Sequence, residues 1–272
     1  MVIFNYMKHK RIIFYFSTLF YLLFSACSEE VIQSENVNYN FFPLEVGNYI
    51  EYQLDSVVFD DFTMTDTQSS YLVRELVEST FLDASGKEVY RIERAYKVSA
   101  ADSWGSAGYD IWFASQNGNA SERIEENQRY IKLSYPIQNN KEWKGNIHIN
   151  TNPLINDAFG TPIENPLNYL DDWDYVVENL NESYNINGLS FDSTVTIIQS
   201  EYGIQTDTIG AREVYANNIG LVFKELWVLS TQCSDCDNTD IVCKTECFNS
   251  TWLEKGEAGF VVIQEILSYG KL

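Results

Sequence analysis

The chain has 272 residues, with 18 basic against 39 acidic side chains and a formal charge of −21. A surface of that sign repels phosphate backbones and anionic lipid, which excludes nucleic acid as a natural partner. Aromatic residues make up 15% of the chain, far more than a disordered acidic tail carries, so a packed core is expected.

The chain opens with Lys8, Lys10 and Arg11, an uncharged run from Ile12 to Phe24, and then small Ser25 and Ala26. A cationic start, a short apolar stretch and small residues at its end are the layout of a removable secretory signal. The run is shorter than the ~20 residues that a membrane span needs. Leu23-Phe24-Ser25-Ala26-Cys27 resembles the lipobox of bacterial lipoproteins, with Phe24 where Leu or Val is usual. The resemblance implies that residues 1–26 are cut away and that Cys27 is lipidated. The first expected partner is then a membrane, reached through several acyl chains, since one chain alone binds marginally. Ser28-Glu29-Glu30 is similar to the acidic signal with which some Gram-negative groups send lipoproteins to the outer cell surface. It implies an outer-membrane location facing outward, with the periplasmic face as the alternative.

Removing residues 1–27 takes away three basic residues and no acid, leaving 15 basic against 39 acidic side chains and a formal charge of −24. Residues 27–40 are polar and Asn-rich and read as a flexible linker. Residues 41–272 then form a single domain, long enough to bury one large core.

From Tyr49 onward, runs rich in Tyr, Val, Ile and Thr alternate with turn residues, which predicts strands. Tyr49–Phe59, Ser70–Phe81 and Val89–Val98 are joined by short turns and form a meander. Tyr109–Ser115 ends at Asn117-Gly118-Asn119. Glu122–Leu133 is either a strand pair turning at Asn127 or a short helix. In Asn146, His148 and Asn150, alternating with Ile147 and Ile149, the polar residues are expected to share one strand face. Residues 150–171 hold three of the five prolines and read as a surface excursion. The segment from Leu167 to Leu180 fits helix or strand. Phe191–Gln199, Tyr202–Ile209, Val214–Tyr215, Gly220–Leu229 and Gly259–Leu267 complete the strands. The fold class expected is all-β and mainly antiparallel. It is a single strongly curved sheet or partly open barrel of about ten strands, with at most one or two short helices.

Phe42-Pro43-Leu44-Glu45-Val46-Gly47-Asn48-Tyr49-Ile50-Glu51-Tyr52 and Glu213-Val214-Tyr215-Ala216-Asn217-Asn218-Ile219-Gly220-Leu221-Val222-Phe223-Lys224-Glu225 resemble elements of a group of uncharacterised exported bacterial lipoproteins. The second stretch is also similar to curved-sheet carriers of the LolA/LolB type. This implies a half-barrel, with a helix across its mouth, and no enzymatic activity.

Once Cys27 carries lipid, Cys233, Cys236, Cys243 and Cys247 remain, an even number in an oxidising compartment. A four-cysteine zinc site is the alternative. The cluster lies between two strands that pair as a hairpin, so the tip at 233–247 is expected to nest its bridges as Cys233–Cys247 and Cys236–Cys243. Asp235, Asp237 and Asp240 on that tip are oxygen ligands that could hold Ca²⁺, although an acidic run of this size is ordinarily just solvated. Asp171-Asp172-Trp173-Asp174 reads the same way. No other cofactor is expected.

His148 is the only histidine after processing, and neither a Gly-x-Ser-x-Gly elbow nor a His-Glu-x-x-His motif exists. A hydrolase working with two carboxylates survives as an alternative. Trp112 and Trp227 lie in apolar strands and read as core. Trp104, in a small-residue loop, either folds back onto the protein or offers its ring to a sugar or peptide. The function expected is a non-enzymatic envelope protein that binds a protein, a glycan or an apolar ligand. A carrier enclosing an apolar ligand in the half-barrel is the second reading.

Overall fold

The computed structural model describes residues 40–272 except Asn238. The signal segment, Cys27 and the linker up to residue 39 lie outside the described residues.

Twelve of the fourteen strands form one antiparallel sheet. Strands β1 (Asn48–Asp60), β2 (Thr65–Leu82), β3 (Glu88–Lys97), β4 (Gly108–Gln116), β5 (Ala120–Glu125) and β6 (Gln128–Ser134) follow one another as a meander. Strands β10 (Tyr175–Ile186), β11 (Leu189–Gly203), β12 (Asp207–Ala216), β13 (Gly220–Ser230) and β14 (Ala258–Lys271) form a second one, edged by short β7 (Glu142–Trp143). The first and last strands, β1 and β14, pair along their length and join the two arms at the centre. Between the arms, β8 (Leu154–Asn156) and β9 (Pro162–Glu164) make a separate small hairpin. The expected curved, all-β antiparallel sheet is present, with more strands than anticipated.

The free ends of the arms approach each other. The Ile131 N–H donates to the Gly145 carbonyl at 2.9 Å, and Trp143 Nε1 donates to the Ile131 carbonyl at 2.8 Å. This seam leaves a nearly closed barrel. Period-two side chains then face a common interior: Val73, Glu75 and Val77 on β2 are buried while their neighbours are not. Gly145 is required at the seam because a Cβ there would lie 2.4 Å from the ring of Tyr175. Tyr175 is buried, and its hydroxyl donates to Asn146 Oδ1.

The turns use the residues that tight hairpins demand. Glu126 and Asn127 both have positive φ between β5 and β6, as do Asn187 and Gly188 between β10 and β11, the arrangement of two-residue hairpin turns. The strand-pair reading of Glu122–Leu133 is therefore the correct one, and Leu167–Leu180 becomes a 3-10 turn (Asn168–Leu170) followed by the start of β10. Three register shifts bend β10 against β11. Their hairpin tip leans on the end of the sheet, where Tyr184 meets Phe223, Phe191 meets Tyr269 and Asn187 donates to the Ile266 carbonyl.

Four expectations fail. Tyr202 ends β11 rather than opening a strand, because the turn falls at residues 204–206. The segment around His148 is a turn: Asn146 is buried and donates to the Leu170 carbonyl, while Ile147 and His148 are exposed. Trp227 is only half-buried. The cysteine-rich tip is not a hairpin but carries helices α1 (Ile241–Asn249) and α2 (Trp252–Lys255). Both sit in the β13–β14 connection, at the barrel end opposite the start of β1, so neither crosses the mouth near β1.

If the seam closes the barrel, Gly145→Ala should force the Tyr175 ring aside. A loss of about 1–3 kcal/mol is expected from overpacking, read by urea denaturation, with faster amide exchange at Ile131.

Candidate functional site

The candidate site is a pocket of about 320 Å³ at the barrel end where β1 and β13 begin and β14 finishes. One wall is the segment Phe42-Pro43-Leu44. Phe41 and Phe42 are buried in the core. The segment is stapled to the β12–β13 turn: the Asn40 N–H donates to Asn217 Oδ1 at 2.8 Å, and the Asn218 N–H to the Asn40 carbonyl at 2.7 Å. Gly220, with φ +107°, lets that turn pass close to Ile50 and Pro43. Ile50, Val77, Ile92, Ala114, Ile219 and Leu221 make the other walls apolar, and Tyr49 and Tyr269 stand at the side of Lys271.

The floor is polar and charged. Glu75 and Arg123 line it, with Tyr52 and Tyr215 beside them. Glu75 and Arg123 are 8% and 7% exposed. Their partners follow from strand register. Arg94 on β3 stands opposite Glu75 on β2, and its Nε lies 3.2 Å from Glu75 Oε1. Arg123 on β5 donates through Nη2 to Glu75 Oε2. Trp112 on β4 separates the two guanidinium groups, which lie 4.2 and 4.8 Å from its ring. Such stacking favours a desolvated cation over an aromatic face. Arg94 also donates to Gln264 Oε1 at 2.6 Å, reaching the second arm.

A second set of charges lies deeper. Lys132 on β6 sits 3.1 Å from Glu125 Oε1 and 2.9 Å from Glu213 Oε1 on β12. Lys224 on β13 approaches the same two carboxylates at 3.4 and 3.7 Å. The Tyr215 hydroxyl donates to Glu213. Arg123 Nε, 3.7 Å from Glu125, links the two sets.

Burial alone would push Glu125 up, but Lys132, Lys224 and Arg123 outweigh it and hold its carboxyl well below the usual carboxylate range. Burial acts the same way on Glu213, and Lys132 and Lys224 again overcome it. A carboxylate whose folded pKa is depressed adds stability above its unfolded pKa and loses it as pH falls through the folded value. Tyr52 and Tyr215 are pushed up, first by burial and then by a nearby glutamate, Glu75 for Tyr52 and Glu213 for Tyr215. Both stay neutral, able to donate, at neutral pH.

The side chains singled out from the sequence lie elsewhere. Trp104 is half-buried, its ring under Arg74 at 5.0 Å and Lys97 at 4.2 Å. Cys233 pairs with Cys247 and Cys236 with Cys243. The nesting is as expected, although the reason differs: Cys243 and Cys247 are one helical turn apart on α1. Asp240 caps α1 by accepting from the Cys243 N–H, and Asp237 accepts from Thr239. These aspartates are used locally, and among the described residues no three His, Cys, Asp or Glu side chains are grouped to hold a metal ion. Asp172 and Asp174 share Lys144. A wider groove of about 730 Å³ lies beside the helical insert. Its Glu254, Lys255 and Glu257 are spent on nearby backbone groups.

The pocket itself was missed from sequence. Its only signal is a charged residue inside an apolar period-two run, as at Glu75 between Val73 and Val77; Arg123, between Ser121 and Glu125, carries no such signal.

No known protein family matches the sequence, and no curated protein matches it. Two solved structures are similar in fold. One, from Bacteroides fragilis NCTC 9343, is described as an exported protein with a YmcC-like fold; identity is 10%, 85% of this chain and 100% of that one are covered, and the TM-score is 0.38. The other, from Parabacteroides distasonis ATCC 8503, is described as a lipoprotein; identity is 11%, coverage 85% and 99%, and the TM-score 0.37.

Lys132 is the cation common to both deep carboxylates. Lys132→Met should cost about 3–5 kcal/mol by urea denaturation, because it strips a partner from buried charges. Adding Glu213→Leu should restore part of that loss.

Proposed function

We propose that this chain is a lipid-anchored, non-catalytic protein of the cell envelope, on the outer membrane and facing outward, whose barrel binds a small ligand at its open end. The observation that carries the binding reading is the pocket of about 320 Å³, apolar at its walls and ending on buried Glu75 and Arg123. Small-molecule sites have this form: concave, mostly apolar, with a few convergent polar groups, and ~300–1,000 Å³ in volume. Anchoring and export rest on the signal-like amino terminus and Cys27.

The interior speaks against a carrier for long acyl chains. Its middle is filled by Arg94, Trp112, Arg123, Lys132 and Glu213, all buried, so no continuous apolar tunnel runs through the barrel. A carboxylate-dependent hydrolase needs one protonated and one ionised acid. Glu125 and Glu213, the two deep glutamates, are both pulled toward the ionised form, which gives that reading no support.

Two measurements test the proposal. Titration with 2-naphthol, followed by its fluorescence, should show one saturable site per chain, weakened at least ~10-fold by Ile219→Trp at the pocket wall; binding untouched by that substitution contradicts a site in the barrel end. In cells, Cys27→Ser should abolish labelling by radioactive palmitate and release the protein from membranes. Unchanged fractionation would remove the anchor.

A further inference from the structure

We propose that the ligand at the barrel end is a compact apolar monocarboxylate whose head group is taken by Arg123. This deepens the reading of the pocket as a ligand site and rests on it.

The first argument is the local charge balance. The network contains three carboxylates, Glu75, Glu125 and Glu213, against the cations Arg94, Arg123 and Lys132, with Lys224 joining them from a partly exposed position. Glu75 answers both guanidinium groups beside the pocket, and Arg123 has a second, longer contact with Glu125 at 3.7 Å. Asp110, opposite Arg94 on β4, accepts from the Tyr96 hydroxyl and forms no ion pair among the described residues. Each cation has a carboxylate within 4 Å, but the four share three, so none of the buried cations has a carboxylate to itself. An anion entering the pocket would supply a further partner, even though the chain as a whole is acidic.

The second argument is the state of Arg123. A guanidinium has five N–H donors. Arg123 commits Nη2 to Glu75, while its Nε is buried and makes no hydrogen bond. Of the two cations that line the pocket among the described residues, Arg123 is the buried one, while Lys271 is exposed and paired with Glu45. A planar guanidinium with donors to spare matches a carboxylate better than an alcohol or an amine. Tyr52 and Tyr215 already donate their hydroxyl protons to the Leu221 carbonyl and to Glu213, which leaves Arg123 as the donor beside them.

The third argument is size. At the ~30 Å³ that a water occupies in the liquid, 320 Å³ holds a body of roughly ten non-hydrogen atoms. The walls of Leu44, Ile50, Val77, Ile92 and Leu221 are apolar, and Asn48, Asn218, Tyr49 and Tyr269 complete the lining. A single head group on a short aliphatic or aromatic body fits a pocket with mostly apolar walls.

Isothermal titration of the full-length protein with octanoate, octan-1-ol and octylamine tests this, because the three share one tail and differ only in charge. Octanoate is expected to bind at least ~10-fold more tightly than octanol, with octylamine weakest. Arg123→Gln should bring octanoate down to the octanol level and leave octanol within about two-fold. Ile219→Trp should weaken all three. The wild-type ranking needs no variant, so it stands even if Arg123→Gln fails to fold. If octanol or octylamine binds as tightly as octanoate, the anion preference is wrong and the pocket reading survives. If none of the three binds, both are wrong.

Discussion

Seven ionised side chains inside a β-barrel are a strong constraint, because each must find a partner within the barrel or unfold it. Here they find partners both on neighbouring strands and across the barrel. Lys132 of β6 reaches Glu213 of β12, Lys224 of β13 reaches Glu125 of β5, and Arg94 of β3 reaches Gln264 of β14. The first and second arms are thereby joined through the interior as well as through β1 and β14. The contacts need the seam between β6 and Gly145 to stay closed, since an open sheet would part Lys132 from Glu213. Curvature, closure and the buried charges are one arrangement. Buried ion pairs of this kind contribute little net stability against an apolar core; what they impose is a unique register, because a one-residue slip would turn every one of them outward.

The pocket is a consequence of the same arrangement. Apolar and charged side chains fill the middle of the barrel, but at one end a pocket remains above Glu75 and Arg123, with the Phe42-Pro43-Leu44 segment as one wall. The other end is covered by the helical insert, tied by two disulfides. The two ends differ accordingly: one presents an apolar cup with a charged floor, the other a polar groove whose charges are used by its own loops. A small-ligand site belongs to the first.

Much of the fold was legible in the sequence because antiparallel meanders write themselves locally. Period-two runs and turn residues set eight of the strands, β1 to β4 and β11 to β14, and Asn127 marked the turn between β5 and β6. The errors have physical causes. Tyr202 looked like a strand start since β-rich residues continue to Ile209, and the turn between them lacks Gly or Pro. The tip at 233–247 was read as a hairpin from its flanking strands; Asp240 three residues before Cys243 was the cap that foretold a helix. The bridge pairing came out right because nested order is shared by a hairpin and by a loop closed on a helix. The pocket was not legible: Glu75, Arg94 and Arg123 are 19 and 29 residues apart in turn, and only strand order brings them together. Trp104, the side chain the sequence offered first, is engaged by Arg74 and Lys97 on the outside of β2 and β3.

The claim on which closure, register and pocket depend is that Glu125 and Glu213 remain charged inside the barrel. The direct measurement is a titration of their side-chain carboxyl ¹³C resonances in the folded protein, from neutral pH down to about 3. Both should stay ionised as the pH passes through ~4.3, where an unperturbed glutamate takes up its proton. If either carboxyl titrates at or above that value while the barrel is still folded, Lys132 and Lys224 do not hold it as described, and the account is contradicted.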